Sequence, residues 1–239
     1  MACCREEDRQ HVLAPRLTTS VFSRTQLLAE NLSAQARLHV RQVSKWLANG
    51  LAASLAAPFA LVYRLLRLLS NSDGIFHDFS QFFSLFPGLP GDYLRKGFYY
   101  WTLAHCSIQV KISFGTLIAH PQTEIHAGVY IGPCCFIGTA VIGPNATLGS
   151  GVHLLSGKHQ HNFDRLEIPI QEQGGRFEKI SIGSNCWLGN GAIVMANVGS
   201  HAIVGAGSVV ISPIEPMAIV AGNPARVVKQ REQSVKEQV

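Results

Sequence analysis

Charge is scarce in this chain of 239 residues: 15% of its side chains are charged against 47% hydrophobic. So little charge suits one main domain with a large buried core, plus an appendage. Aromatic residues are scarce in the most regular part of the sequence and crowd instead into residues 75–101, so the two regions obey different packing rules. Zinc-ligand spacing is absent among the six cysteines, and two of their pairs, Cys3–Cys4 and Cys134–Cys135, are adjacent, a poor geometry for disulfides. The cysteines read as those of a reducing compartment, with Cys135 and Cys186 as compact apolar fillers. The formal net charge is +5. No helix-turn-helix, RNA-binding aromatic pair or zinc-finger spacing accompanies the scattered basic residues, which argues against nucleic acid as a partner. A membrane surface or an anionic cofactor accounts for the charge more simply.

What the chain does have, between residues 125 and 210, is a six-residue unit that keeps restarting. The units read IHAGVY, IGPCCF, a shortened IGTAV, IGPNAT and LGSGVH, and after a gap IGSNCW, LGNGAI, a short VMAN, VGSHAI and VGAGSV. Each opens with Ile, Leu or Val, usually follows it with Gly, and places a small residue four positions on (Val129, Cys135, Ala146, Val152, Cys186, Ala192, Ala202, Ser208). A helix would need apolar positions three and four apart, and a half-buried strand would need alternation. Period six predicts a parallel β-helix, in which each unit is one short strand and one corner and three units complete a triangular coil. The branched residue fills the interior, the Gly is expected to permit the tight corner, and stacked coils bury a continuous aliphatic core.

The first 40 or so residues are polar, mixed in charge and expected to be loosely ordered. Arg37, Arg41 and Lys45 lead into Leu47–Tyr63, seventeen residues without a charge, followed by Arg64 and Arg67. This run lies too far from residue 1 for a signal peptide and falls just short of the ~20 residues that span a bilayer. It is read first as a helix in the membrane interface; a helix packed on the solenoid or on a neighbouring subunit and a true span are the alternatives. Phe76, Phe79, Phe82, Phe83 and Phe86 recur at near-helical spacing, Pro87–Gly91 break the pattern, and Asp92 is expected to cap a second helix running to about Leu103. The chain thus divides into an N-terminal extension (1–74), a helical cap over the solenoid's open end (75–104), the β-helix (105–231) and a polar tail (232–239).

The register stops after Leu154 and resumes at Ile182. The intervening residues 155–179 form a loop of unusual length for so economical a fold, which points to function. It carries His159 and His161, with Ser156, Lys158 and Gln160 beside them and His153 just before. Histidine has the side chain whose ordinary titration lets it accept a proton near neutral pH.

The repeat, the extruded loop with SGKHQH and the closing GAGSVV and AGNPARVV resemble the hexapeptide-repeat acyltransferases, over roughly residues 86–231. The branch most similar contains the polysaccharide and sugar O-acetyltransferases, with serine acetyltransferases as relatives. The resemblance implies a left-handed β-helix, a homotrimer, and acetyl-CoA as co-substrate in a groove between neighbouring solenoids, with no metal. It also implies a loop histidine as general base, which maps onto His159, with His161 in reserve. The position after the base is often acidic in the family and is Gln160 here, so Asp164 or a backbone carbonyl would have to orient the ring. Gly189, Ala206 and Gly207 would line the pantetheine arm and offer backbone amides. Asn223, Pro224, Ala225, Arg226 and Lys229 would sit near the adenosine and its phosphates. Ser156, Gln160 and Trp187 are expected at the acceptor, with Trp187 at a corner either walling the groove or serving as an aromatic plug on the solenoid surface.

The implied activity is transfer of acetyl to a hydroxyl of a sugar or polysaccharide precursor, in the cytoplasm, with a peripheral position on the inner face of the cytoplasmic membrane as the membrane-associated form. Two further readings are a non-catalytic membrane-associated scaffold and a γ-class carbonic anhydrase-like metalloenzyme. Against the latter, His153, His159 and His161 lack the five-residue spacing that its zinc ligands need on one coil.

Overall fold

The structure, a computed structural model, describes residues 18–70 and 72–232, with side chains from residue 35 onward. Two compact units divide the chain, Met1–Leu47 and Ala48–Val239. Helix α1, Thr18–Leu69, begins well inside the stretch expected to be loosely ordered. Residues 18–49 contain neither Gly nor Pro, so nothing in the backbone chemistry interrupts a helix there. Cys3 and Cys4 lie outside the described residues.

From His105 onward the chain winds a left-handed parallel β-helix of about six turns. Its first face stacks His105–Cys106, Glu124–Ile125, Ala140–Ile142 and Ile180–Ile182. Its second face stacks seven strands from Lys111–Ile112 to Ala218–Ala221 and Arg226–Gln230, and its third five, from Leu117–Ile118 to Val209–Val210. All pairings are parallel except the last hairpin, where Ala218–Ala221 pairs antiparallel with Arg226–Gln230. The first coil carries Cys106, Ile112 and Ile118 as its interior residues, a six-residue spacing with no Gly behind it to mark the repeat.

The interior is built as the period demands. Ile131, Leu148, Leu188, Val204 and Val220 fill one column, and Ile118, Ile137, Leu154, Val194 and Val210 another; each is at most 1% exposed. Burying such a side chain stabilises by about 1.5–3 kcal/mol. All eight small residues four places after a unit's start are buried too. The glycines, however, do a different job from the one expected. In each full six-residue unit the left-handed torsion falls three places after the unit's start, at Gly128, Cys134, Asn145, Gly151, Asn185 and their equivalents. The Gly one place after the start lies against the coil above: a β-carbon on Gly132 would stand 2.7 Å from the Gly149 carbonyl carbon. That Gly permits close coil stacking, not the turn.

Helices α2 (Asp73–Ser84) and α3 (Gly88–Thr102) close the first coil. Ser80 Oγ accepts the Ile118 N–H at 3.0 Å, the Gly115 N–H donates to Ser84 O at 3.0 Å, and Arg95 Nε donates to Ile112 O at 3.0 Å. These bonds satisfy edge groups that an open coil would leave unpaired. Fully buried Arg95 also donates to Phe86 O and to Asp92 Oδ1, each at 2.6 Å. Asp92 therefore caps nothing: α3 starts four residues earlier, with Pro87 as its N-cap, because Pro90 lies in the first turn, where its missing N–H costs no bond. Of the phenylalanine stripe, Phe76 and Phe83 are buried and Phe82 is exposed.

Candidate active site

The long loop leaves the third face after His153–Leu154 and re-enters at the first face with Ile180–Ile182. It folds back on itself as a ladder: Glu178 N–H donates to Ser156 O (2.9 Å), Arg176 N–H to His159 O (2.7 Å) and Asn162 N–H to Gly174 O (2.8 Å). Gln173 clamps its tip by donating to Arg165 O and Ile168 O. At its root Lys179 Nζ reaches Glu124 at 2.6 Å on the first face, and this contact holds the Glu124 carboxyl below the usual carboxylate range.

His159 is thus held by its backbone while its imidazole is exposed and makes no hydrogen bond among the described residues. Among the described residues neither Asp164 nor a backbone carbonyl bonds the ring, and Gln160 turns its amide back to Gly157 O at 3.1 Å. His161, also exposed, meets the Phe177 ring edge-on at 6.5 Å. Phe177 in turn lies 6.4 Å from His120, whose Nδ1 is 2.9 Å from Asp73 Oδ2 at the start of α2. Ser156, expected at the acceptor, is 3% exposed, and its Oγ accepts the Thr139 N–H at 2.9 Å. It is a structural peg at the loop's root: the chain leaves the coil one residue after inward Leu154, so its first turn tucks the hydroxyl against the coil below.

Gly189, Ala206 and Gly207 stack at the corner between the second and third faces, so within one protomer they and the loop lie on either side of the third face. The Gly189 N–H is spent on Val204 O and the Gly207 N–H on Asn190 O, both in the coil-to-coil ladder. The Ala206 N–H makes no bond among the described residues, and open space surrounds the position of a β-carbon at Gly207. Asn223, Pro224, Ala225, Arg226 and Lys229 form the final hairpin, in which Ala225 N–H donates to Val209 O at 2.8 Å and Arg226 and Lys229 are exposed.

Trp187 is not at a corner. It lies within a strand of the second face, 54% exposed and in register with Thr147 and Ile203. Cys186 and Leu188 on either side point inward, so alternation turns Trp187 outward. Cys106, Cys135 and Cys186 are buried and Cys134 is exposed, with no disulfide among the described residues. Burial pushes the Cys106 thiol up to about 12. Among the described residues, no three His, Cys, Asp or Glu side chains gather as a metal site.

Solved structures with the same fold are plentiful. A maltose O-acetyltransferase from Clostridium difficile 630 matches 70% of this chain and 89% of its own at 21% identity and a TM-score of 0.51. The chain shares its fold with the hexapeptide-repeat acyltransferases. A variant of AntD, an N-acyltransferase from Bacillus cereus solved with dTDP-4-amino-4,6-dideoxyglucose and coenzyme A, aligns over 52% of this chain and 71% of its own, at 18% identity and a TM-score of 0.44. The polySia-specific acetyltransferase NeuO aligns over 55% and 72% at 20% identity and a TM-score of 0.34. No family model matches the chain, and no curated protein matches it.

Proposed function

We propose that this protein transfers an acetyl group from acetyl-CoA to a hydroxyl of a sugar or polysaccharide precursor, with His159 as general base. The observation that carries the reading is the His159 imidazole: exposed, without a hydrogen-bond partner among the described residues, and pinned by its backbone at the root of an extruded loop. A shared fold with a maltose O-acetyltransferase favours a sugar hydroxyl as acceptor.

His159 takes the proton as the acceptor oxygen attacks the thioester carbonyl, the C–S bond breaks, and the thiolate of CoA leaves and is protonated. The thioester is already activated, so positioning and one base supply much of the rate. The Ala206 N–H, left over from the coil ladder, is the backbone donor suited to the developing oxyanion. Gly189 and Gly207 leave room for a pantetheine arm, and Arg226 and Lys229, with Asn223, Pro224 and Ala225, offer a basic hairpin to the nucleotide phosphates. Because the loop and the Ala206 corner are separated by the third face, the full site needs a neighbouring copy. A homotrimer would bring one protomer's His159 to the next protomer's Ala206.

The test is release of CoA from acetyl-CoA in the presence of mono- and disaccharide acceptors. His159→Ala should lower turnover by about 10²–10⁴-fold, while His161→Ala should retain most of it. Equal rates for His159→Ala and the native protein would reject the assignment.

A further inference from the structure

We propose that the outward face of α1 between Ala48 and Leu69 docks onto an anionic phospholipid bilayer, with the helix lying in the plane of the interface. This goes beyond the transfer reaction and does not depend on it.

One side of this segment is committed to the protein. Ala52, Ala56, Ala60 and Tyr63 are buried, with the Tyr63 ring 5.7 Å from Phe76 and 6.3 Å from Phe98. A β-carbon on Gly97 of α3 would stand 2.6 Å from Ala52 O, so the two backbones nearly touch. Polar bonds fix the same contact: Trp101 Nε1 donates to Ala53 O at 2.9 Å and Lys96 Nζ to Asn49 Oδ1 at 2.5 Å. A helix packed along one side on the cap, and bonded to it through Lys96 and Trp101, cannot cross hydrocarbon without carrying those polar groups with it, although Gln35–Leu69 is long and apolar enough to span.

The other side is apolar and bare. Leu51, Leu55, Leu61, Val62, Leu65 and Leu69 are 48–85% exposed, Leu66 and Leu68 extend the same surface, and Phe59 borders it with its ring against Phe82 and Phe83. At about 100° per residue these positions sweep roughly half the helix circumference, and Ser54 is the one polar side chain within the sweep. Packing against one partner helix uses a narrower seam, so a second copy would leave much of this face wet. A hydrocarbon boundary covers it all.

The charge fits an anionic surface. Residues 48–69 contain no acidic side chain and two basic ones, Arg64 and Arg67. Arg64 is fixed at one margin of the apolar face by donating to Trp101 O at 2.8 Å. Trp101 and Tyr100 beside it are 38% and 44% exposed. An aromatic and basic margin around an apolar helix face is the arrangement of interfacial helices.

The full-length protein should float with phosphatidylcholine vesicles containing phosphatidylglycerol and much less with phosphatidylcholine alone. The combined variant Leu55→Gln, Val62→Gln, Leu65→Gln should lose about tenfold or more of that binding, with its circular dichroism and CoA binding unchanged. Should that variant fail to fold, quenching of native tryptophan fluorescence by brominated acyl chains reads the same contact, and no quenching would overturn the proposal. Equal flotation of variant and native protein would overturn it, as would no flotation of the native protein or resistance to alkaline carbonate, the mark of a span. So would loss of self-association in the variant without native vesicle binding, which would give the face to a second copy. Because CoA binding is measured on the same variant, failure here and failure of the transferase reading are separable.

Discussion

A β-carbon placed on Gly189 would lie 2.5 Å from the backbone nitrogen of Ala206, the amide that the coil ladder leaves unbonded. The glycine thus fixes how closely two coils approach and where that N–H stands. Gly189→Ala should push the coils apart, costing about 1–3 kcal/mol by overpacking. It should also weaken CoA binding measured by calorimetry. A variant with native stability and native CoA affinity would show that this corner neither limits packing nor meets the co-substrate.

Ser156 holds the root of the loop by accepting the Thr139 N–H. Ser156→Ala leaves a part-buried N–H unpaired, an expected loss of about 1–3 kcal/mol. Because the loop would lose its footing while the coils remain, turnover should fall with little change in the KM for acetyl-CoA. Unaltered turnover would mean that the loop's ladder alone positions His159.

Arg95 donates to Ile112 O on the first coil and, within the cap, to the carbonyls of Phe83, Ser84 and Phe86 and to Asp92. Arg95→Ala should cost about 3–5 kcal/mol in urea unfolding, since it strands Asp92 and the carbonyls. Arg95→Lys should recover only part, because an ammonium cannot match the planar fork. Full recovery by lysine would show that charge alone matters there.

Alkaline pH should weaken the seam between the cap and the first coil, where Tyr99 of α3 and Cys106 of the first strand are buried. Burial raises both Tyr99, fully enclosed beside Ser80, and Cys106 to about 12, above their ordinary values of 10.0 and 9.0. Groups raised in the folded state contribute stability that is complete below their unfolded values and is lost as pH rises toward the folded ones. The unfolding midpoint should therefore fall between about pH 9 and about pH 12, with a shallower fall in Cys106→Ala. An identical slope in that variant would contradict the assignment.

The solenoid was legible because stacking demands the same residue type in each interior column. Ile125, Ile142 and Ile182 repeat where the chain must repeat. The first coil was less visible, since Cys106, Ile112 and Ile118 carry the spacing without the glycine that coil-to-coil contact imposes higher up. Trp187 and Asp92 depart from the expected corner and cap for local reasons: alternation turns one outward from a strand, and a proline tolerated in a first helical turn moves the helix start past the other. The loop's length set residues 155–179 apart from the repeat, and His159 stands exposed within it. Its internal pairing was not readable, nor was the His120–Asp73 contact, because those partners lie 47 residues apart and nothing local marks them. The separation of His159 from Ala206 by a whole face is likewise a property of the winding, not of any motif.

The most direct measurement is a crystal structure of the protein with CoA bound. The account requires the CoA sulfur to lie within one acceptor's reach of a His159 imidazole, with the pantetheine arm passing Gly189 and Ala206 of the adjoining copy. A CoA molecule bound elsewhere, with His159 open to bulk solvent and no other proton acceptor beside the sulfur, would contradict it.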